Sequence, residues 1–87
     1  MRFVKNVTYV SDYKLQLTFE DGTTHLADLH PHLDGEIFVP LQDINYFKTV
    51  RVNPDLDTIV WENGADMSPD FLYEIGMPVT EPDKVSS

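Results

Sequence analysis

Residues 14–23 read KLQLTFEDGT, and they carry the clearest structural signal in the chain. Apolar side chains occupy every second position of its first half, which is typical of a strand buried on one face. These apolar positions are Leu15, Leu17 and Phe19. Asp21-Gly22 follows, and both residue types tolerate the positive φ angles of a tight type I′ hairpin turn. The stretch therefore predicts the middle strand of an antiparallel meander, with Phe3–Val10 and Thr23–Leu29 as its neighbours.

Two short helices are predicted further along the chain. Pro40 begins a segment whose apolar residues recur every three positions as far as Phe47, a spacing that favours a helix lying on the sheet. Ser68-Pro69-Asp70 has the residue types of a helix start, with an N-cap serine, a proline at N1 and an acid near the positive end of the helix dipole. Gly76 stands where a C′ glycine would end that helix.

A second hairpin is predicted between the two helices. Residues 49–52 and 58–61 have the composition of strands, and Asn53–Asp57 between them favours a type I turn with proline at its second position. The predicted fold class is α+β, with a small, mostly antiparallel sheet built from the meander and this hairpin and two short helices on its apolar side. The residues expected inside are Leu15, Leu17, Phe19, Leu26, Phe47, Val50, Ile59 and Leu72.

The length and the charge of the chain limit its function. Its 87 residues suffice for one domain, which we place at residues 3–76, with residues 77–87 expected to form a mobile tail. Fifteen acids against six bases give a net charge of −9, and residues 52–87 hold eight acids and only Lys84. Such a field repels phosphate and anionic lipid, so direct nucleic-acid or membrane binding is not expected.

Cysteine is absent, which excludes disulfides, thiolate nucleophiles and cysteine-based metal sites. No apolar run approaches the roughly 18 residues of a membrane span, and the first residues lack the pattern of a signal peptide. The sequence predicts a cytoplasmic protein.

A histidine cluster is the sharpest chemical hint. His25, His30 and His32 stand close together with Asp28 and Asp34 nearby, and imidazole with carboxylate is a ligand set for zinc or iron. A metal-binding or hydrolytic protein is therefore one alternative. Because the spacing matches no established metal motif, solvated loop histidines are the favoured interpretation, and we predict no metal and no cofactor.

Catalytic residues are not predicted either. Asp66 and Asp70, with Glu62 and Glu74 near them, resemble a carboxylate pair for acid–base chemistry. A helix start explains Asp70, a turn explains Asp66, and solvation explains the two glutamates. There is no Gly-x-Ser-x-Gly nucleophile elbow and no glycine-rich phosphate loop. A non-enzymatic protein is favoured.

Several motifs taken in order resemble one family. These are FEDGT at 19–23, ADL at 27–29, FVPLQD at 38–43 and TIVWENGADMSPD at 58–70. Over about residues 3–75 they resemble the bacterial domain-of-unknown-function family DUF2442. The resemblance implies a small α+β domain without an established activity. It also implies members that stand alone or precede a helix-turn-helix domain, often encoded beside another small protein as in toxin–antitoxin pairs.

The leading hypothesis is an interaction module, antitoxin-like, whose partner is a basic protein from the adjacent gene. Trp61, Glu62, Asp66 and Glu74 are the candidate partner-binding residues, although a lone tryptophan in so small a domain is more typical of the core. The alternative from another class is a transcription-associated regulatory domain that acts through a partner. Open sheet edges also leave room for a homodimer.

Overall fold

The computed structural model of the protein describes residues 2–79 and confirms the predicted α+β class. A four-stranded antiparallel sheet has the order β1-β2-β3-β6, and β4 and β5 form a separate two-stranded hairpin. The strands are β1 (Val4–Ser11), β2 (Lys14–Phe19), β3 (Thr24–Asp28), β4 (Arg51–Asn53), β5 (Thr58–Val60) and β6 (Met77–Pro78). The α-helices are α1 (Ile44–Phe47) and α2 (Pro69–Ile75), and two short 3₁₀ helices span His30–His32 and Val39–Gln42.

The meander is built as its alternation predicts. Leu15, Leu17 and Phe19 of β2 are fully buried, while the intervening Gln16 is exposed. Both neighbouring strands pair antiparallel with β2, and Leu17 lies between Val7 of β1 and His25 of β3. The apolar face of β2 is therefore the centre of the core.

The core-facing side of β3 differs from the prediction. Leu26, expected inside, is only half-buried, whereas His25 and Ala27 are buried at 3% and 0% exposure. The register is the reason, because His25 lies opposite Leu17 and Ala27 lies opposite Leu15, and directly opposed residues share a face. His25 is thus a core residue rather than a solvated loop histidine.

The turn between β2 and β3 is wider than the predicted type I′ turn. Only Gly22, with φ +85°, has a positive φ there, whereas Asp21 does not. The Gly22 N–H donates to the Phe19 carbonyl at 3.0 Å, and the Phe19 N–H donates to the Thr23 carbonyl at 2.9 Å. Asp21 instead accepts a hydrogen bond from the Thr23 N–H at 2.9 Å, which stabilises the longer loop.

The second hairpin forms where it was predicted, but with shorter strands and as a sheet of its own. Val50, expected inside, precedes β4 and is only half-buried. Its turn has the expected proline, and the Asn53 side chain accepts from the Asp55 N–H at 2.8 Å. Asp57 closes the turn at φ +58°, and its carbonyl accepts from the Val4 N–H of β1 at 2.9 Å. The hairpin therefore joins the larger sheet through its turn.

The first predicted helix is divided in two. Asp43, between the second 3₁₀ helix and α1, has an extended backbone with ψ 115°. Its carboxylate accepts from the Asn45 N–H at 3.0 Å and so caps α1. This local cap competes with a continuous helix, which explains the break.

Helix α2 begins as predicted but ends for a different reason. The Ser68 hydroxyl accepts from the Phe71 N–H at 3.1 Å, as an N-cap does. Gly76 has φ −76° and is not in the left-handed region, so it is not the expected C′ glycine. A Cβ at this position would lie 2.9 Å from the Cβ of His25, so the chain needs glycine in order to pass β3.

The chain continues past Gly76 into β6. Met77 pairs with Leu26, Pro78 pairs with His25, and the Val79 N–H donates to the Thr24 carbonyl at 2.8 Å. Residues 77–79, the first of the expected tail, are therefore hydrogen-bonded to the sheet. The remainder of that tail, residues 80–87, lies outside the described residues.

Candidate functional site

Trp61, the only tryptophan, belongs to the core. It is 1% exposed, and its indole N–H donates to the Phe47 carbonyl at 2.9 Å. The centres of the Trp61 and Phe47 rings are 5.8 Å apart. The core interpretation of this residue is therefore the one that the structure supports. From that position Trp61 anchors the loop that follows it.

The loop after Trp61 is fixed by local hydrogen bonds. The Trp61 N–H donates to the Ala65 carbonyl at 2.9 Å, and Gly64 takes a φ of +88° at the turn. The Asn63 amide reaches across to the Ile37 carbonyl at 2.9 Å, which ties this loop to the loop before the second 3₁₀ helix. The arrangement leaves the side chains of residues 62 and 66 in solvent.

The three acidic candidates are all exposed but differ in their surroundings. Glu62 forms an ion pair with Arg51 at 3.0 Å, and since both side chains are more than half exposed, solvent screens that pair. Asp66 follows the turn and bridges Val60 through its backbone. Glu74 lies on the exposed side of α2. Within residues 2–79, neither Asp66 nor Glu74 takes part in an ion pair.

Acidic side chains dominate the surface of the second half. Residues 52–79 contain six acids and no lysine or arginine, and all six are exposed. They are Asp55, Asp57, Glu62, Asp66, Asp70 and Glu74. We call this set the acidic surface. Along the chain its members run from the second hairpin turn through the loop after Trp61 to α2, and Arg51, the partner of Glu62, lies beside them.

A cleft opens beside Asp66. Its volume is about 420 Å³, and it lies between residues 32–38 and residues 66–71. Phe38 and Phe71 are half-buried in its walls, and two carboxylates, those of Asp34 and Asp66, also line it. The other lining residues are His32, Met67 and Ser68.

Of the four predicted partner-binding residues, only Asp66 lines the cleft, and its other lining residues were not predicted to bind a partner. Asp66 lines it, whereas Glu62 and Glu74 do not, and Asp34 appeared in the sequence only as a potential metal ligand. Phe38 and Phe71 give no signal beyond ordinary core periodicity. Only the tertiary packing of the loop at residues 32–38 against the start of α2 brings the two carboxylates to one cleft.

The histidines of the metal hypothesis lie in three different environments. His25 is buried in β3, with its ring 4.3 Å from that of Tyr73 in α2. The ring of His30 lies 5.1 Å from that of Tyr13, and the ring of His32 meets Phe71 edge-on at 5.1 Å. Throughout the described range 2–79, no group of three or more histidine, aspartate or glutamate side chains is arranged to hold a metal ion. The metal-binding alternative therefore has no assembled ligand set in that part of the chain.

His25 has an unusual hydrogen-bonding state. The Thr23 hydroxyl donates to Asp21 at 2.6 Å, so it accepts from the Nε2–H of His25 at 3.1 Å. That tautomer leaves Nδ1 as a buried acceptor, and it has no hydrogen-bond partner. The His25 ring also packs 4.3 Å from the ring of Tyr73. These contacts give His25 a packing role between the sheet and α2.

A charged cluster around Arg2 lies beside Tyr73, the residue of α2 that packs against His25. The Arg2 guanidinium lies 3.6 Å from the centre of the Tyr73 ring and contacts Glu20 at 3.0 Å. The Phe3 N–H and then Arg2 lower the pKa of Glu20. The Thr23 hydroxyl and N–H, followed by Tyr73, lower the pKa of Asp21. Both carboxylates are thereby held in the ionised form, which suits a structural clamp rather than proton transfer.

Among the described residues, no helix is long and apolar enough to cross a membrane.

Comparison with known proteins gives one family. Neither the curated proteins nor the solved structures contain a significant match to the chain. Residues 4–78 match the model of a protein family described as "Protein of unknown function (DUF2442)". Because the match covers every strand and helix described above, the chain belongs to the DUF2442 family.

Proposed function

We propose that the protein is a non-enzymatic interaction module that binds a basic protein partner through the acidic surface. The observation that carries the proposal is the segregation of charge, with six exposed acids and no lysine or arginine over residues 52–79. A surface of one sign attracts a partner of the other sign and accelerates its association. The more specific form of the proposal is antitoxin-like, with the partner encoded by the adjacent gene.

Two features support binding rather than catalysis. The carboxylates with lowered pKa values, Glu20 and Asp21, are engaged with Arg2, Thr23 and backbone N–H groups and so are used in the fold. Most of the acidic surface is free to meet a partner, because Glu62 is its only member in an ion pair within the described residues.

The test is co-expression of the full chain with the product of the adjacent gene. We expect a complex at low salt whose association rate falls as salt is added. The Glu62→Gln/Glu74→Gln double variant should slow association by roughly threefold or more, since two charges of the acidic surface are lost. The matched control is Asp12→Asn/Asp28→Asn, which removes two exposed acids outside that surface.

Two results would overturn the proposal. One is the absence of a complex at low salt with both proteins folded. The other is equal slowing by the test and control variants, which would reflect net charge alone. Direct DNA binding by the isolated chain would contradict the charge argument.

A further inference from the structure

We propose that the cleft between residues 32–38 and 66–71 holds an arginine side chain of the basic partner. This inference rests on the proposed function and specifies its recognition chemistry. The cleft combines two acidic groups with two aromatic walls, and a guanidinium group can use both at once.

The aromatic walls provide the stacking surface. Phe38 and Phe71 are each half-buried, so part of each ring stays accessible within the cleft. The imidazole of His32 packs edge-on against Phe71 with ring centres 5.1 Å apart. A planar guanidinium stacks on aromatic faces more readily than a compact, strongly hydrated ammonium does. The walls therefore favour arginine over lysine.

The carboxylates provide the charge. Asp34 and Asp66 are exposed, and neither takes part in the ion pairs formed among residues 2–79. No lysine or arginine lines the cleft. By contrast, Lys14 lines two other clefts of the described residues, one beside Tyr13 and one beside Ile75. The five N–H donors of a guanidinium can serve acceptors on more than one side. A cation is thus the complementary occupant.

The walls of the cleft are also held in place before binding. The Gln42 amide donates to the Leu33 carbonyl at 2.8 Å, and the Asn63 amide donates to the Ile37 carbonyl at 2.9 Å. On the opposite side, the Met67 carbonyl accepts a hydrogen bond from the buried Thr58 hydroxyl. A site fixed in this way loses little conformational entropy when it is filled. Its volume of about 420 Å³ falls at the smaller end of ligand sites.

The first experiment uses N-acetyl-arginine amide as a probe. The full chain, labelled with ¹⁵N, is titrated with this compound at neutral pH. We expect saturable shifts at the amides of Asp34, Asp66 and Phe71. N-acetyl-citrulline amide has nearly the same shape without the charge, and it should bind at least about tenfold more weakly. Shifts that do not saturate, or equal shifts with the citrulline compound, would overturn the inference.

Matched variants locate the binding. Asp34→Asn/Asp66→Asn should reduce the affinity for the arginine probe by about tenfold or more, and Glu62→Gln/Glu74→Gln should change it less than about twofold. Both variants remove two exposed carboxylates, so net charge is the same. Equal losses in the two variants would refute a specific site. The dispersion of the amide spectrum of each variant shows that it is folded.

The partner complex separates this inference from the proposed function. A complex that forms normally with Asp34→Asn/Asp66→Asn refutes the cleft and leaves the acidic surface as the binding site. Saturable binding of the arginine probe without any partner complex supports the chemistry of the cleft and refutes the proposed function. If this variant, while folded, neither binds the arginine probe nor forms the partner complex, both proposals are supported.

Discussion

Gly76 lies against His25 so closely that a Cβ on residue 76 would be 2.9 Å from the Cβ of His25 and 2.9 Å from the carbonyl oxygen of Leu72. The contact connects the end of α2 to the core face of β3. Neither neighbouring atom lies at the flexible end of a side chain, so an added methyl group must displace backbone.

Gly76→Ala should therefore destabilise the fold although its φ of −76° suits any residue. We expect the free energy of unfolding to fall by about 1–3 kcal/mol, the usual cost of overpacking. Urea denaturation measures the change. Glu74→Ala, at an exposed position of the same helix, should stay within about 0.5 kcal/mol of the wild type and serves as the control. Equal free energies of unfolding for the two variants would show that residue 76 does not lie so close to His25.

Leu17→Ala should be among the most destabilising substitutions in β2. The side chain is fully buried at the centre of the sheet, so its truncation should cost about 2–5 kcal/mol. Gln16→Ala, on the outer face of the same strand, should cost less than about 0.5 kcal/mol. Denaturant midpoints of the two variants provide the comparison. The reverse order would mean that the faces of β2 are inverted.

Trp61→Phe should lower stability without weakening partner binding. The substitution removes the hydrogen bond from the indole to the Phe47 carbonyl, and it leaves unfilled volume in the core. We expect a loss of about 1–3 kcal/mol, of which about 1 kcal/mol is the hydrogen bond. Thermal or urea unfolding measures it by circular dichroism. Affinity for the partner, measured where the variant is fully folded, should be unchanged, and a large loss there would place Trp61 in the interface.

Thr23→Val should raise the pKa of Asp21 toward its usual value, because the Thr23 hydroxyl is the leading cause of the lowered pKa. A carboxyl group whose pKa is lower in the folded state stabilises the protein above the pKa of the unfolded state. This contribution disappears as the pH falls through the folded-state pKa. At neutral pH the variant should therefore be less stable than the wild type. As the pH falls, the stabilisation by Asp21 that remains should be lost at a higher pH than in the wild type.

Carboxyl NMR titration between about pH 2 and 6 reads the pKa of Asp21 directly. Thr24→Val is the matched control, because Thr24 faces the Thr18 hydroxyl at 3.5 Å rather than Asp21. An Asp21 pKa that moves equally in both variants, or in neither, would contradict the role of the Thr23 hydroxyl.

Local pattern was sufficient for much of the fold. The alternation in β2 and the Ser-Pro-Asp start of α2 are encoded within a few residues, and both formed as predicted. The orientation of β3 was not encoded in this way, because Leu26 and Ala27 are adjacent apolar residues that point to opposite faces. Pairing with β2 decided between them and placed His25 inside. The two residues of β6 are too few to show any period.

The candidate site was less accessible to sequence reasoning. The exposed acids of the second half could be recognised from composition, because charged side chains without partners stay in solvent. The cleft could not, since Asp34 and Asp66 belong to segments that are distant in sequence and are brought together by tertiary contacts such as the hydrogen bond from the Asn63 amide to the Ile37 carbonyl. The sequence position of Trp61 suits both a core residue and an interface residue, and its burial places it in the core.

The short strand β6 also determines how the sheet ends. Because the Val79 N–H points at β3, the alternation of the strand turns the Pro78 nitrogen toward the open edge, and a proline nitrogen carries no hydrogen. An incoming strand from another molecule would find no donor at that point. At the opposite edge the second hairpin meets β1, where the Val4 N–H already donates to the Asp57 carbonyl. Pairing with another strand therefore lacks a donor at Pro78 of β6 and at Val4 of β1.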